Sequence, residues 1–107
     1  MKKLAQYIKV LGDANRLAII YAIGESARSV TEIIQKTGLS QTLVSFHLRV
    51  MREKGIVSTR RDGPFIYYSL AIPELYDLIG EFSRVAGMNN PFSREHSFRR
   101  QKNVIRR

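Results

Sequence analysis

Between positions 41 and 49 the chain sets an amide, two hydroxyls, a phenylalanine and a guanidinium at spacings that one side of a helix would display: Gln41, Thr42, Ser45, Phe46 and Arg49. A glutamine amide can donate and accept at once and so match the edge of an adenine. Hydroxyls suit base edges or phosphate, a guanidinium suits phosphate, and an exposed phenylalanine can touch a thymine methyl. For Phe46 a second reading stays open, in which the ring folds back onto Leu43 and Val50 on its own side of the helix. Arg60 and Arg61 follow a few residues downstream. The alternative for the whole group is an ordinary solvated helix face.

Other chemistries find little to work with. The 107 residues include no cysteine and only two histidines, His47 and His96. This excludes disulfides, thiolate metal sites and thiol redox sensing. No glycine-rich phosphate loop is present, and neither histidine has a convincing partner for nucleophilic or metal chemistry, so the chain does not read as an enzyme and implies no cofactor. Glu74, Asp77 and Glu81 could in principle share a hard cation, but at that spacing they read as the solvated side of a helix. His96 beside Glu95 has too few neighbouring donors for a metal site.

The elements that must position the 41–49 group follow from periodicity. Lys2 to Leu11 reads as a helix with Leu4, Ile8 and Leu11 on one side, broken at Gly12. Asp13 is placed to cap a second helix carrying Leu17, Ile20 and Ile23, which Gly24 ends. Ser29-Val30-Thr31-Glu32 has the form of a capping box and opens a third helix with Ile33 and Ile34 inward, stopped at Gly38. Ser40 caps a fourth helix running to about Lys54, with Val44, Leu48 and Met51 as its buried stripe. The period then changes. Ile56 to Arg60 and Phe65 to Leu70 read as two strands joined by a turn at Asp62-Gly63. Pro73 fits the first turn of a last helix whose apolar side is Leu75, Leu78, Ile79, Phe82 and Val85.

Two short helices, a glycine-containing turn of about four residues, and a second helix with a polar, exposed N-terminal side make a helix-turn-helix. The following hairpin turns this into a winged helix-turn-helix: mostly α, with a small β-hairpin, and dimeric. Double-stranded DNA is the partner this pattern implies, with Arg60 and Arg61 where a wing meets phosphate or a minor groove. The segments LGDANRLAII, TGLSQTLVSFHLRVMREKGIV and RRDGPFIYYSLAIPEL resemble the ArsR/SmtB-type winged-helix repressors from about Leu11 to Phe82. The resemblance implies a homodimer built from the first and last helices and a repressor released from its operator by a metal or another signal. Many metal-sensing members carry a Cys-x-Cys pair where this chain has Ser29 and Thr31, and others carry Asp and His ligands on a last helix that here lacks histidine. The resemblance therefore implies no thiolate metal-sensor site and leaves the effector unknown. It also places His47 where members often have a histidine without metal, as packing or phosphate contact, and Pro64 where a basic residue is frequent at the wing tip.

Charge and size complete the expectation. Of the net charge of +9, residues 91–107 hold +5, with six Lys/Arg against Glu95, and the rest of the chain holds +4. A basic end of this kind is either a solvated end or a nucleic-acid contact. The chain divides into a winged-helix DNA-binding and dimerisation domain at 1–88 and a basic, flexible tail at 89–107. A domain this small often completes its core by pairing, and Leu4, Ile8, Leu11, Leu75, Ile79 and Phe82 are the residues expected at that interface. No apolar run approaches a membrane span, and nothing directs the chain out of the cytoplasm. Two further readings remain: a winged-helix protein-interaction module, and an architectural DNA-binding module without ligand gating.

Overall fold

The computed structural model describes residues 1–89. In order they form α1 (Lys2–Leu11), α2 (Ala14–Ile23), β1 (Arg28–Ser29), α3 (Val30–Thr37), α4 (Gln41–Glu53), β2 (Val57–Asp62), β3 (Phe65–Leu70) and α5 (Glu74–Val85). The basic segment assigned as a tail, His96 included, lies outside the described residues except for Asn89.

The helix α2, ANRLAIIYAI, is apolar almost all round, so it lies at the centre. Its Ile19, Ile20 and Ile23 are fully buried against Ile33 of α3, Val44, Leu48 and Met51 of α4, and Ile56 and Val57 at the entry to β2. Leu70, Leu75 and Tyr76 close the core from β3 and α5. By contrast, α1 buries no residue at all.

The sheet has three antiparallel strands in the order β1-β3-β2. The short strand β1 was not anticipated. It pairs Arg28 with Tyr68 and Ser29 with Tyr67, and two residues are too short a run to leave a period in the sequence. The wing is also longer than expected. Its strands pair as far as Asp62 with Phe65, so the turn is Gly63-Pro64 rather than Asp62-Gly63. Gly63 has φ 63°, while proline cannot take a positive φ. The loop is therefore of the II′ kind, with glycine first, which suits the twist of a hairpin.

The capping residues act as read. Asp13 accepts from the N–H groups of Asn15 and Arg16 at 2.9 and 3.1 Å. Ser29 and Glu32 form a complete capping box. Pro73 stands one position earlier than expected, as the capping residue of α5. Among the described residues no helix is long and apolar enough to cross a membrane.

Candidate nucleic-acid interface

The helix α4 has one side locked and one side open. Val44, Leu48 and Met51 are buried, and His47 joins them at 5% exposure. Gln41, Thr42, Ser45 and Arg49 are exposed on the other side. The turn before α4 is three residues, Gly38-Leu39-Ser40, one shorter than expected. Gly38 is left-handed at φ 73° and donates its N–H to the Ile34 carbonyl at 2.8 Å. A residue with a Cβ would be strained there, so glycine fixes the angle between α3 and α4. Ser40 caps α4 through the Leu43 N–H at 3.2 Å. The positive end of the helix dipole thus lies beside Gln41 and Thr42, where a phosphate is favoured.

Phe46 is 46% exposed. Its ring stands edge-on to His47 with centroids 5.1 Å apart, and the Arg49 guanidinium lies 5.7 Å from its centroid. The ring thus supports Arg49 on one side and still offers apolar surface. On the wing, Arg60 stacks at 5.3 Å over Tyr67, its cross-strand partner. Arg61 pairs across the ladder with Ile66, and both are exposed. Both of these arginines, Arg49 and Arg60, are held on aromatic faces, which limits their conformational freedom.

A polar link that sequence reading missed holds α4 in place. Arg16, on α2, donates its Nε–H to the Val10 carbonyl of α1 and approaches His47 Nδ1 of α4 at 3.2 Å. One guanidinium thereby joins three helices. Between packing and phosphate contact, the geometry gives His47 a packing role. No spacing rule exposes this contact, because its partners are 31 positions apart. Asp13 belongs to the same cluster. The Arg16 N–H, opposed by partial burial and helped by the Arg16 charge, holds its carboxyl below the usual range.

The last-helix carboxylates Glu74, Asp77 and Glu81 are exposed, and Glu81 pairs with Arg84 at 3.1 Å. Among the described residues no three His, Cys, Asp or Glu side chains are grouped to hold a metal. The residues expected at a dimer interface separate into two kinds. Leu4, Ile8 and Phe82 are 52%, 46% and 63% exposed. Leu11 and Ile79 pack partly on the core, and Leu75 lies within it. Together the six line one apolar groove between α1 and α5, completed by Leu17, Leu78 and Met88.

The family model described as bacterial regulatory protein, arsR family, matches residues 13–59, from the Asp13 cap into β2. The probable mercury resistance operon repressor of Streptomyces lividans is 36% identical over 75 residues, 70% of this chain, which spans only 60% of that relative's length. The nodulation protein NolR of Rhizobium meliloti is 32% identical over 83 residues, 78% of this chain and 68% of NolR. The solution structure of the homodimeric winged helix-turn-helix DNA-binding domain of a possible ArsR-family regulator from Mycobacterium bovis superposes with a TM-score of 0.71 at 29% identity, covering 80% of each chain. By the arsR family match, the identity to these relatives and the superposition, the chain belongs to the ArsR family of bacterial regulatory proteins and has a winged helix-turn-helix fold.

Proposed function

We propose that the chain is a transcriptional repressor that binds an imperfect palindromic operator as a homodimer through α4 and the wing. The observation that carries this reading is the division of α4 into a core-locked side and an open side of Gln41, Thr42 and Ser45, with Arg49 behind them. Gln41, Thr42 and Ser45 read base edges in the major groove, with Phe46 adding apolar contact. Arg49, Arg60 and Arg61 hold phosphates. Support comes from the relative named as an operon repressor and from the neighbour described as a homodimeric DNA-binding domain. Residues 1–88 carry this activity, and the basic segment from 89 adds at most non-specific attraction.

A two-fold dimer presents its two α4 helices to successive major grooves, so half-site centres lie about 10 bp apart. The test is a binding series on operator DNA, recovered from fragments that co-purify with the protein, and on scrambled DNA. Gln41→Ala loses roughly 1–3 kcal/mol at one base pair per half-site and relaxes preference there. Equal weakening on both DNAs would remove α4 as the reading helix. Metal is not the signal in this reading, because Ser29 and Thr31 replace thiolates and Ser29 serves as a cap. Zinc, nickel, cobalt, cadmium and arsenite should leave operator affinity unchanged, and a stoichiometric loss with any of them would show a site in the carboxylates of α5 or at His96.

A further inference from the structure

The tip of the wing breaks a local rule. Pro64, Phe65 and Ile66 follow one another and all are exposed, Phe65 at 56% and Ile66 at 38%. Hairpin tips are ordinarily polar, and three exposed apolar residues in a row mark a functional surface rather than a need of the fold.

Successive residues of a strand point to opposite faces. Phe65 therefore shares a face with its cross-strand partner Asp62 and with the Arg60–Tyr67 pair, while Ile66 shares the other face with Arg61. On the first face a row of side chains runs outward. The Arg60 guanidinium lies 5.3 Å from the Tyr67 centroid, and the Phe65 ring follows at 6.4 Å, tilted by 46°. Tyr67 thus backs Phe65 on the side toward the core and leaves more than half of that residue to solvent. Arg61 stands one rung behind the tip and Arg60 two, on opposite faces. This arrangement matches a narrow groove between two rows of phosphate. The minor groove of duplex DNA is about 6 Å wide. A wing standing in it sets Arg60 toward one row and Arg61 toward the other, and its apolar tip reaches the floor. Asp62, the one carboxylate of the wing, opposes a tip laid along phosphate.

We infer that the wing is a minor-groove wedge: Phe65 enters between two base pairs, partly unstacks them and kinks the operator toward its major groove. Apolar side chains used in this way kink duplexes by about 20–90°. Unstacking is easiest at pyrimidine–purine steps. The wing therefore favours a TA or CA/TG step beside each half-site, and adds sequence preference without a hydrogen bond to a base edge. This inference deepens the proposed DNA binding and rests on it.

The test uses the full chain and operator fragments that carry the site at different distances from their ends, so that gel mobility reports the bend. 2-Aminopurine placed in turn at the steps flanking each half-site reports unstacking. Wild type bends the operator by ~20° or more at each wing, and fluorescence rises at one flanking step. Phe65→Ser, at an exposed position, unfolds at the wild-type temperature and still binds the operator, but loses most of the bend and of the fluorescence rise. Phe65→Leu, apolar and able to wedge, keeps most of both. Changing the flanking step to purine–purine weakens wild type several-fold and Phe65→Ser hardly at all. Operator binding by wild type with neither bend nor fluorescence change refutes the wedge, as does a bend that Phe65→Ser leaves intact. A chain that binds no duplex refutes the proposed function, and the wedge falls with it.

Discussion

The guanidinium of Arg16 and the imidazole of His47 meet at 3.2 Å, joining the start of α2 to the interior of α4. An arginine N–H only donates, so a hydrogen bond between the two requires His47 Nδ1 to accept, with the ring's hydrogen on Nε2. Long-range nitrogen–proton correlation spectra should show that tautomer. A proton on Nδ1 would mean that the two groups are in contact without a hydrogen bond.

Replacing His47 removes more than a side chain. His47→Ala leaves a cavity in the core and a guanidinium arm without its acceptor, and the protein should lose about 2–4 kcal/mol in urea unfolding. A loss well under 1 kcal/mol would show that the link is dispensable. Operator affinity measured on the folded fraction should fall as well, because α4 loses its tie to α2.

Asp13 gives the cluster a pH dependence of definite sign. Its carboxyl titrates lower in the folded chain than in the unfolded one, so its stabilisation is complete above the unfolded value and disappears as pH falls through the folded value. Asp13→Ala should cost ~1 kcal/mol at neutral pH, the usual worth of such a cap. The gap between wild type and variant should hold down to about pH 5 and close below about pH 4. A gap that widens on acidification would contradict the capping geometry.

Association and folding can be separated along the groove between α1 and α5. Ile8 and Phe82 are exposed in the protomer, so Ile8→Asp and Phe82→Asp should give a folded monomer in sedimentation experiments. Leu75→Asp should instead unfold the chain, since it buries an unpaired charge in the core. Ile79→Asp should do some of both, because Ile79 packs partly on the core. Dimers that survive both exposed substitutions would place the interface elsewhere.

The wing should reveal itself through salt. Arg61→Ala should weaken operator and scrambled DNA alike and flatten the log–log salt dependence by about one unit per lost phosphate contact. Removing residues 91–107 should lower slope and affinity without altering base preference if that segment touches DNA. If it is a solvated end, neither should move. Loss of operator preference with Arg61→Ala would transfer base reading to the wing.

The helices were legible in the sequence because local chemistry marks their ends. Asp13, Ser29 and Ser40 cap where they stand, Gly38 stops α3, and the Val44-Leu48-Met51 stripe is buried as its spacing implies. What stayed hidden depends on groups distant in sequence or on runs too short to show a period. Strand β1 exists only because Arg28 and Ser29 find Tyr68 and Tyr67 across the sheet. Arg16 gives no local sign of its contact with His47. The turn shifted by one residue because the Asp62-Gly63 pair is a strong local signal, while pairing of Asp62 with Phe65 satisfies one more rung of the ladder. Of the candidate interface, exposure of Gln41, Thr42 and Ser45 followed from periodicity. The cation–aromatic supports of Arg49 and Arg60 did not, since they depend on side-chain geometry.

Ser29 has two attachments at once: its backbone is a rung of the sheet opposite Tyr67, and its hydroxyl caps α3 through the Glu32 N–H at 3.2 Å. The wing and the helix-turn-helix are therefore tied at this residue as well as through the core they share. In the proposed dimer, two such jaws on a shared hinge make a fixed-gap caliper. Inserting one base pair between half-sites moves the second site by ~3.4 Å and turns it by roughly 35°, a mismatch that stiff jaws cannot absorb by bending. If the proposed dimer forms, tolerance to operator spacing, and any signal that opens or closes the gap, reside in the hinge between protomers rather than within either jaw.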